Sequence, residues 1–151
     1  MIIRALGIND SHLLVPIWAN IIDEHLEYNN AVYAYDTSHN PEQDIKDYMG
    51  MPGCHIYAAI ENDEAAGYIL ARLAHRPKIF KARTKLMIDG LYVLPQYRNR
   101  HIGRQLFAYA LEASPEAAFA DLNVSMQNAA AAAFWKKLGF ETVHLNMIRN
   151  S

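Results

Sequence analysis

Apolar positions along the chain follow two rhythms, one of strands and one of helices. Ile2-Ile3-Arg4-Ala5-Leu6 reads as a short first strand. Asn9-Asp10-Ser11 offers an N-cap. Leu14, Ile17, Trp18, Ile21 and Ile22 then recur at the spacing of one helix face. Pro16 lies too deep for a first-turn proline if Asp10 is the cap, so the helix either kinks there or begins its regular part later. It ends near Tyr28-Asn29-Asn30, before a tyrosine-rich loop over residues 31–40. Residues 41–48 predict a second, short helix closed by Gly50 and Pro52-Gly53. Residues 55–60 and 66–73 are apolar runs split by Glu61-Asn62-Asp63-Glu64, a hairpin signal.

The second half alternates strand and helix. A basic loop over residues 76–85 precedes a third long strand, 86–94, closed by Pro95. The helix that follows carries Ile102, Leu106 and Ala110 on one face and ends near Ala113-Ser114-Pro115. Residues 120–126 predict another strand. Asn128 caps a helix of five consecutive alanines that runs to Leu138, with Gly139 as its stop. Lys136 and Lys137 in its last turn suit the helix dipole. Residues 140–148 predict a final strand. The order β-α-α-β-β-β-α-β-α-β, with no repeat or linker, predicts one α/β domain over residues 1–151, a mixed sheet with helices on both faces.

Composition fits that picture. A chain of 151 residues, 52% hydrophobic and 20% charged, is globular and long enough to hold a core without a disulfide or metal staple. No apolar run approaches the ~18 residues of a membrane span, and Met1-Ile2-Ile3-Arg4 lacks the features of a secretion signal. The single cysteine, Cys54, sits in a Pro-Gly turn and reads as a surface or packing thiol in a reducing cytoplasm. The seven histidines show no metal spacing, so no metal site is expected.

The net charge of −2 conceals a split: residues 1–64 carry 11 acidic and two basic residues, and residues 65–151 carry 12 basic and five acidic. A bulk-basic nucleic-acid binder is therefore disfavoured, while a protein with one acidic and one basic surface fits.

The most informative stretch runs from Ile88 to Arg104. A strand ends at Pro95 and a tight polar turn leads into a helix near Gly103. The first amides of a helix lack internal partners and carry partial positive charge, which makes the end a phosphate site. Arg98, Arg100 and Arg104 add full charges, and Gly103 lets the backbone come close to a ligand. The stretch is neither a Walker A loop nor a dinucleotide fingerprint. Asp89-Gly90 reads either as a hairpin turn or as a bulge within a strand. The unbroken apolar flanks favour the bulge.

Taken together, Arg98-Asn99-Arg100-His101-Ile102-Gly103, the strand before it, and the Asn128 to Phe140 helix with its Leu-Gly-Phe end resemble the GNAT family of acyl-CoA-dependent N-acetyltransferases. The motifs cover residues 86–140, and the element order agrees over the whole chain. The resemblance implies a mixed, mostly antiparallel sheet whose middle strands, 86–94 and 120–126, splay to admit acetyl-CoA as co-substrate. It implies pyrophosphate on the backbone of Arg98, Asn99, Arg100, His101, Ile102, Gly103 and Arg104. It implies pantetheine along Leu91, Tyr92 and Val93, with an amide near Val93 polarising the thioester and Asn128 holding the arm. Phe134, Trp135 and Lys137 join this cofactor surface. His101 replaces the motif's first glycine, where a Cβ restricts phosphate approach. Trp135 stands where many members carry a tyrosine that protonates the leaving thiolate, and an indole N–H cannot serve as that acid.

Acetyl transfer needs a neutral amine, so an alkylammonium of pKa about 10.4 must lose a proton to a base, directly or through water. Asp89 is the only carboxylate on the strand beside the thioester site and is the candidate base or water organiser; Tyr92 is a secondary candidate. The resemblance places the acceptor on the first helices and their connection, where Glu24, Glu27, Tyr28 and Tyr33 would hold a cationic small molecule or a polypeptide amine. Neither nucleic acid nor membrane is expected as a partner, and a homodimer is compatible. The alternative is a non-catalytic acyl-CoA-binding or sensor domain. Nucleic-acid binding through Arg72, Arg76, Lys78, Lys81, Arg83 and Lys85 is the least favoured reading.

Overall fold

A computed structural model describes residues 1–25 and 40–149, the side chains of residues 21–25 excepted. Five strands form one sheet in the order β1 (Ile2–Ala5), β2 (Cys54–Glu61), β3 (Glu64–His75), β4 (Thr84–Val93), β5 (Phe119–Leu122). The first four are antiparallel neighbours, and β5 runs parallel to β4. The β2–β3 turn is the predicted hairpin. Asn62 and Asp63 both take positive φ, 52° and 63°, as a two-residue turn matched to strand twist requires.

Helices cover both faces. On one side lie α1 (Val15–His25) and α2 (Pro41–Gly50); Leu14, Ile17 and Ile45 pack there on Ile56, Ala58, Tyr68, Leu70 and Tyr92. On the other side lie α3 (Ile102–Glu112) and α4 (Ala129–Lys137), where Ile102, Leu106, Phe107, Ala110 and Trp135 meet Tyr57, Ile69, Ala71, Leu86 and Ile88. Alternate residues of β2 and β3 serve opposite cores, as a strand buried on both faces demands.

Pro16 is accommodated by a late start. A 3-10 turn spans Ile8–Leu13 and α1 begins at Val15, so Pro16 falls in the first turn, where its missing N–H costs nothing. Asp10 does not open that helix; its carboxylate takes the Gly7 amide at 2.8 Å and the Arg4 guanidinium at 2.9 Å. Asn128 does cap α4, accepting from Ala131 N–H at 3.1 Å. Gly139, at φ 94°, follows its last turn. Bonds from Gly139 to the Lys136 carbonyl and from Phe140 to the Trp135 carbonyl then close the helix in a Schellman motif.

The final strand is a correction. Residues 140–149 take no regular structure, and Val143, Leu145 and Met147, whose alternation predicted a strand, are exposed. β5 is also shorter than expected, ending at Leu122 rather than near residue 126, and it is an edge strand among the described residues.

Candidate active site

The site begins at an irregularity in β4. Its register with β3 runs from Leu70↔Gly90 to Ala71↔Ile88, which leaves Asp89 as an extra residue. The expected bulge is therefore present, centred one residue before the glycine. The bulge resets the alternation: Leu86 and Ile88 pack towards α3, whereas Tyr92 packs towards α1 and α2. It also coincides with the point where β4 and β5 part, since their last partners are Ile88 and Leu122. From Asp89 to Val93, the edge of β4 turned away from β3 has no strand partner among the described residues. Backbone groups along such an edge can pair with an extended ligand laid against them. This is the splay that the sequence motifs imply.

Asp89 is held from two sides. On β3, Arg72 donates from Nε to Oδ2 at 3.1 Å and from Nη2 to Oδ1 at 3.2 Å. On α2, Tyr48 donates its hydroxyl to Oδ2 at 2.8 Å. Burial, then the adjacent Asp89 carboxylate, push the Tyr48 phenol well above its ordinary pKa, so it stays protonated and can donate to the carboxylate. Hydrogen bonding to Asp89 likewise raises the Arg72 guanidinium. Cys54 joins this group. It is the buried first residue of β2, paired with Arg72 across the ladder, so of the two readings it is the packing thiol, and it lies close to the β4 bulge rather than far from the motifs. Burial raises its pKa, and Arg72 offsets part of that rise.

The arginine-bearing loop before α3 lies at the far end of β4. Asn99 and His101 both sit in the left-handed region, at φ 62° and 59°. A glycine takes that conformation freely, which accounts for the glycine of the motif at position 101; histidine is among the side chains that tolerate it. The first bond within α3 runs from Gln105 N–H to the His101 carbonyl at 3.0 Å. The amides of Ile102, Gly103 and Arg104 therefore have no acceptor inside the helix, as an anion site requires.

The three arginines divide their work. Arg104 is exposed at this helix end. Arg98 donates to the Val93 carbonyl at 2.9 Å and lies 5.4 Å from the Tyr92 ring, so it braces the turn. Arg100 is spent on a bidentate pair with Glu61, at 2.8 and 3.0 Å, which ties the loop to the β2–β3 hairpin.

Gly103 is also a packing position. A Cβ there would lie 3.2 Å from Phe134 Cζ and 3.3 Å from Leu91 Cδ2. Gly103→Val is thus expected to cost about 1–3 kcal/mol of stability through overpacking, and also to weaken acetyl-CoA binding by displacing the loop. Thermal unfolding and calorimetric titration check the two effects separately.

Other candidates fall in varied places. Leu91 and Val93 are half-buried on the α3–α4 side, along the open edge of β4. Tyr92 is buried on the opposite side, with its ring 6.5 Å from Tyr68. Trp135 is buried. It is enclosed edge-on by Phe134, Phe107 and Phe140 at 4.9, 5.5 and 5.2 Å. Lys137 is exposed at the end of α4. The Glu24 side chain, and Glu27, Tyr28 and Tyr33 entirely, lie outside the described residues. Sequence reasoning missed Tyr48 and Arg72 as partners of Asp89, because they lie 41 and 17 positions away.

Among the described residues no helix is long and apolar enough to cross a membrane, and no group of three or more His, Cys, Asp or Glu is arranged to hold a metal.

A splayed parallel pair, a bulge with a fixed carboxylate and a helix end with free amides are the features expected of an acyl-CoA-dependent acetyltransferase. Residues 18–140 match the acetyltransferase (GNAT) family, and the chain belongs to it. It is similar to the peptidyl-lysine N-acetyltransferase YjaB of Escherichia coli strain K12, with 28% identity over 129 residues, covering 85% of this chain and 74% of YjaB. In fold it resembles a mutant form of the BH1408 protein from Bacillus halodurans, with a TM-score of 0.85 and 18% identity over 100% of this chain and 99% of that one. It also resembles the aminoglycoside N-acetyltransferase AAC(6')-Iy in complex with CoA, with a TM-score of 0.74 and 16% identity over 99% and 93% of the two chains.

Proposed function

We propose that this protein transfers an acetyl group from acetyl-CoA directly to a primary amine on a cationic small molecule or polypeptide, with Asp89 receiving the amine proton directly or through water. The observation that carries this reading is the position of Asp89, at the bulge where β4 leaves β5. The open β4 edge would carry the pantetheine arm, and the amides of Ile102 to Arg104 with the Arg104 side chain would carry the pyrophosphate. In the transfer, the amine nitrogen attacks the thioester carbonyl. The C–N bond forms, the C–S bond breaks, the thiolate leaves, and the proton lost by nitrogen passes to the carboxylate. With Trp135 inside the core, the thiolate takes its proton from solvent; a thiol of pKa about 8.5 is a moderately good leaving group.

Charge supports a cationic acceptor. Glu42 and Asp47 are exposed on α2, the helix that also brings Tyr48 to Asp89. Lys46 pairs with Glu42 at 3.3 Å, but the carboxylates of α2 outnumber it, and a net negative helix raises the local concentration of cations. The relatives' names point the same way, since peptidyl-lysine and aminoglycosides are cationic amines.

The test is thiol release from acetyl-CoA with polyamines, aminoglycosides and lysine peptides set against neutral amines and acidic amino acids. Cationic acceptors are expected to give kcat/KM about tenfold or more higher at low salt, with the advantage shrinking as ionic strength rises. Neutral or acidic acceptors performing best would remove the cationic assignment. Acetyl-CoA binding without turnover across the panel would favour the sensor reading.

A further inference from the structure

We propose that Arg72 and Tyr48 are positioning residues that fix the plane of the Asp89 carboxylate and leave one oxygen, Oδ1, open towards the acceptor. The inference rests on the reading of Asp89 as base and deepens it. Each carboxylate oxygen accepts about two hydrogen bonds. Among the described residues, Oδ2 takes both Arg72 Nε and the Tyr48 hydroxyl, whereas Oδ1 takes only Arg72 Nη2. Oδ2 is saturated and Oδ1 keeps one site for the amine or its water.

The clamp is assembled from separate elements, Arg72 from β3 and Tyr48 from α2, which meet at the bulge. Arg72 is itself braced: Nη2 also contacts the Met87 sulfur at 3.0 Å. Cys54 of β2 lies beside Arg72 and is the other titratable group near this cluster among the described residues. The planar guanidinium fork suits this task in a way an ammonium does not, because it bonds both oxygens in one plane.

The test is a double-mutant cycle with chemical rescue. Arg72→Ala is expected to lower kcat about 10- to 100-fold while the KM for acetyl-CoA stays within about twofold. In an Asp89→Asn background the same change should cost almost nothing further. Added guanidinium at millimolar concentration should restore part of the lost kcat in Arg72→Ala, and ammonium should not. Arg72→Lys should recover less than added guanidinium. Tyr48→Phe, which removes one donor, should lose about 3- to 10-fold in kcat.

Additive losses from Arg72→Ala and Asp89→Asn, with no guanidinium rescue, would overturn the clamp while leaving Asp89 as base. Wild-type rates in Asp89→Asn would instead overturn the base reading, and the clamp with it. The Arg72 Nε–H signal in nitrogen-15 NMR tests the clamp without turnover. It should be protected from exchange in the wild type and lost in Asp89→Asn; rapid exchange in the wild type would overturn the proposal. The same signal covers the case in which Arg72→Ala fails to fold.

Discussion

Asp89→Asn is expected to lower kcat/KM for the amine by about 10²- to 10³-fold, the range lost when a positioned general base is removed. That corresponds to about 3–4 kcal/mol of transition-state stabilisation. The KM for acetyl-CoA should change little, because the Asp89 side chain points to Arg72 and Tyr48 rather than to the phosphate loop. Stability should also change little: the Arg72 and Asp89 side chains are 37% and 22% exposed, and ion pairs in contact with water contribute modestly. The residual rate carries a second signature. Without a base, only amine that is already neutral reacts. The variant's rate should therefore climb about tenfold per pH unit below the amine pKa of about 10.4. A kcat/KM within threefold of wild type would exclude Asp89 as the base.

Features set by neighbours in sequence were legible before any coordinates. The Asn128 cap and the Gly139 stop each need only a few adjacent residues, and both are present. The Asn62-Asp63 turn and the β4 bulge are also local signals, one of turn chemistry and one of a glycine inside an apolar run. The last strand failed for the opposite reason. Val143, Leu145 and Met147 have the strand period, yet they are exposed and pair with no strand among the described residues. Periodicity reports which face a residue would take, not whether a ladder exists to receive it.

The candidate site divides along the same line. The helix end and its loop were readable because a helix start is local. The use made of each charge was not. Arg100 looked like a phosphate ligand until Glu61, 39 positions away, proved to hold it. Asp89 looked like an isolated carboxylate until Arg72 and Tyr48 closed on it from β3 and α2. Trp135 occupied a motif position, yet three aromatic rings around it make it core. Of the three arginines, all exposed, Arg98 is turned onto the Val93 carbonyl and Arg100 onto Glu61, while Arg104 lies in the first turn of α3.

The second large effect is expected at Gly67, away from the Asp89 clamp. It pairs with Val93 at the end of β4. A Cβ on Gly67 would lie 2.7 Å from the Tyr92 carbonyl oxygen and 3.1 Å from both Val93 Cα and Cγ2. The first two of those atoms are backbone, so no rotamer change can relieve the contact. Gly67→Ala must push β3 and β4 apart, with an expected loss of about 2–3 kcal/mol, or roughly 6–10 °C in Tm for a chain of this size. The damage should reach the ligand as well. Tyr92 and Val93 belong to the open edge proposed to carry the pantetheine arm, and the Val93 carbonyl anchors Arg98 at 2.9 Å. Acetyl-CoA affinity should fall even at temperatures where the variant is fully folded. Calorimetry for stability and titration with acetyl-CoA at about 10 °C, near the usual stability maximum, read the two effects separately. A stable variant with unchanged affinity would show that the two strands have room there, and that the end of β4 does not depend on this close approach.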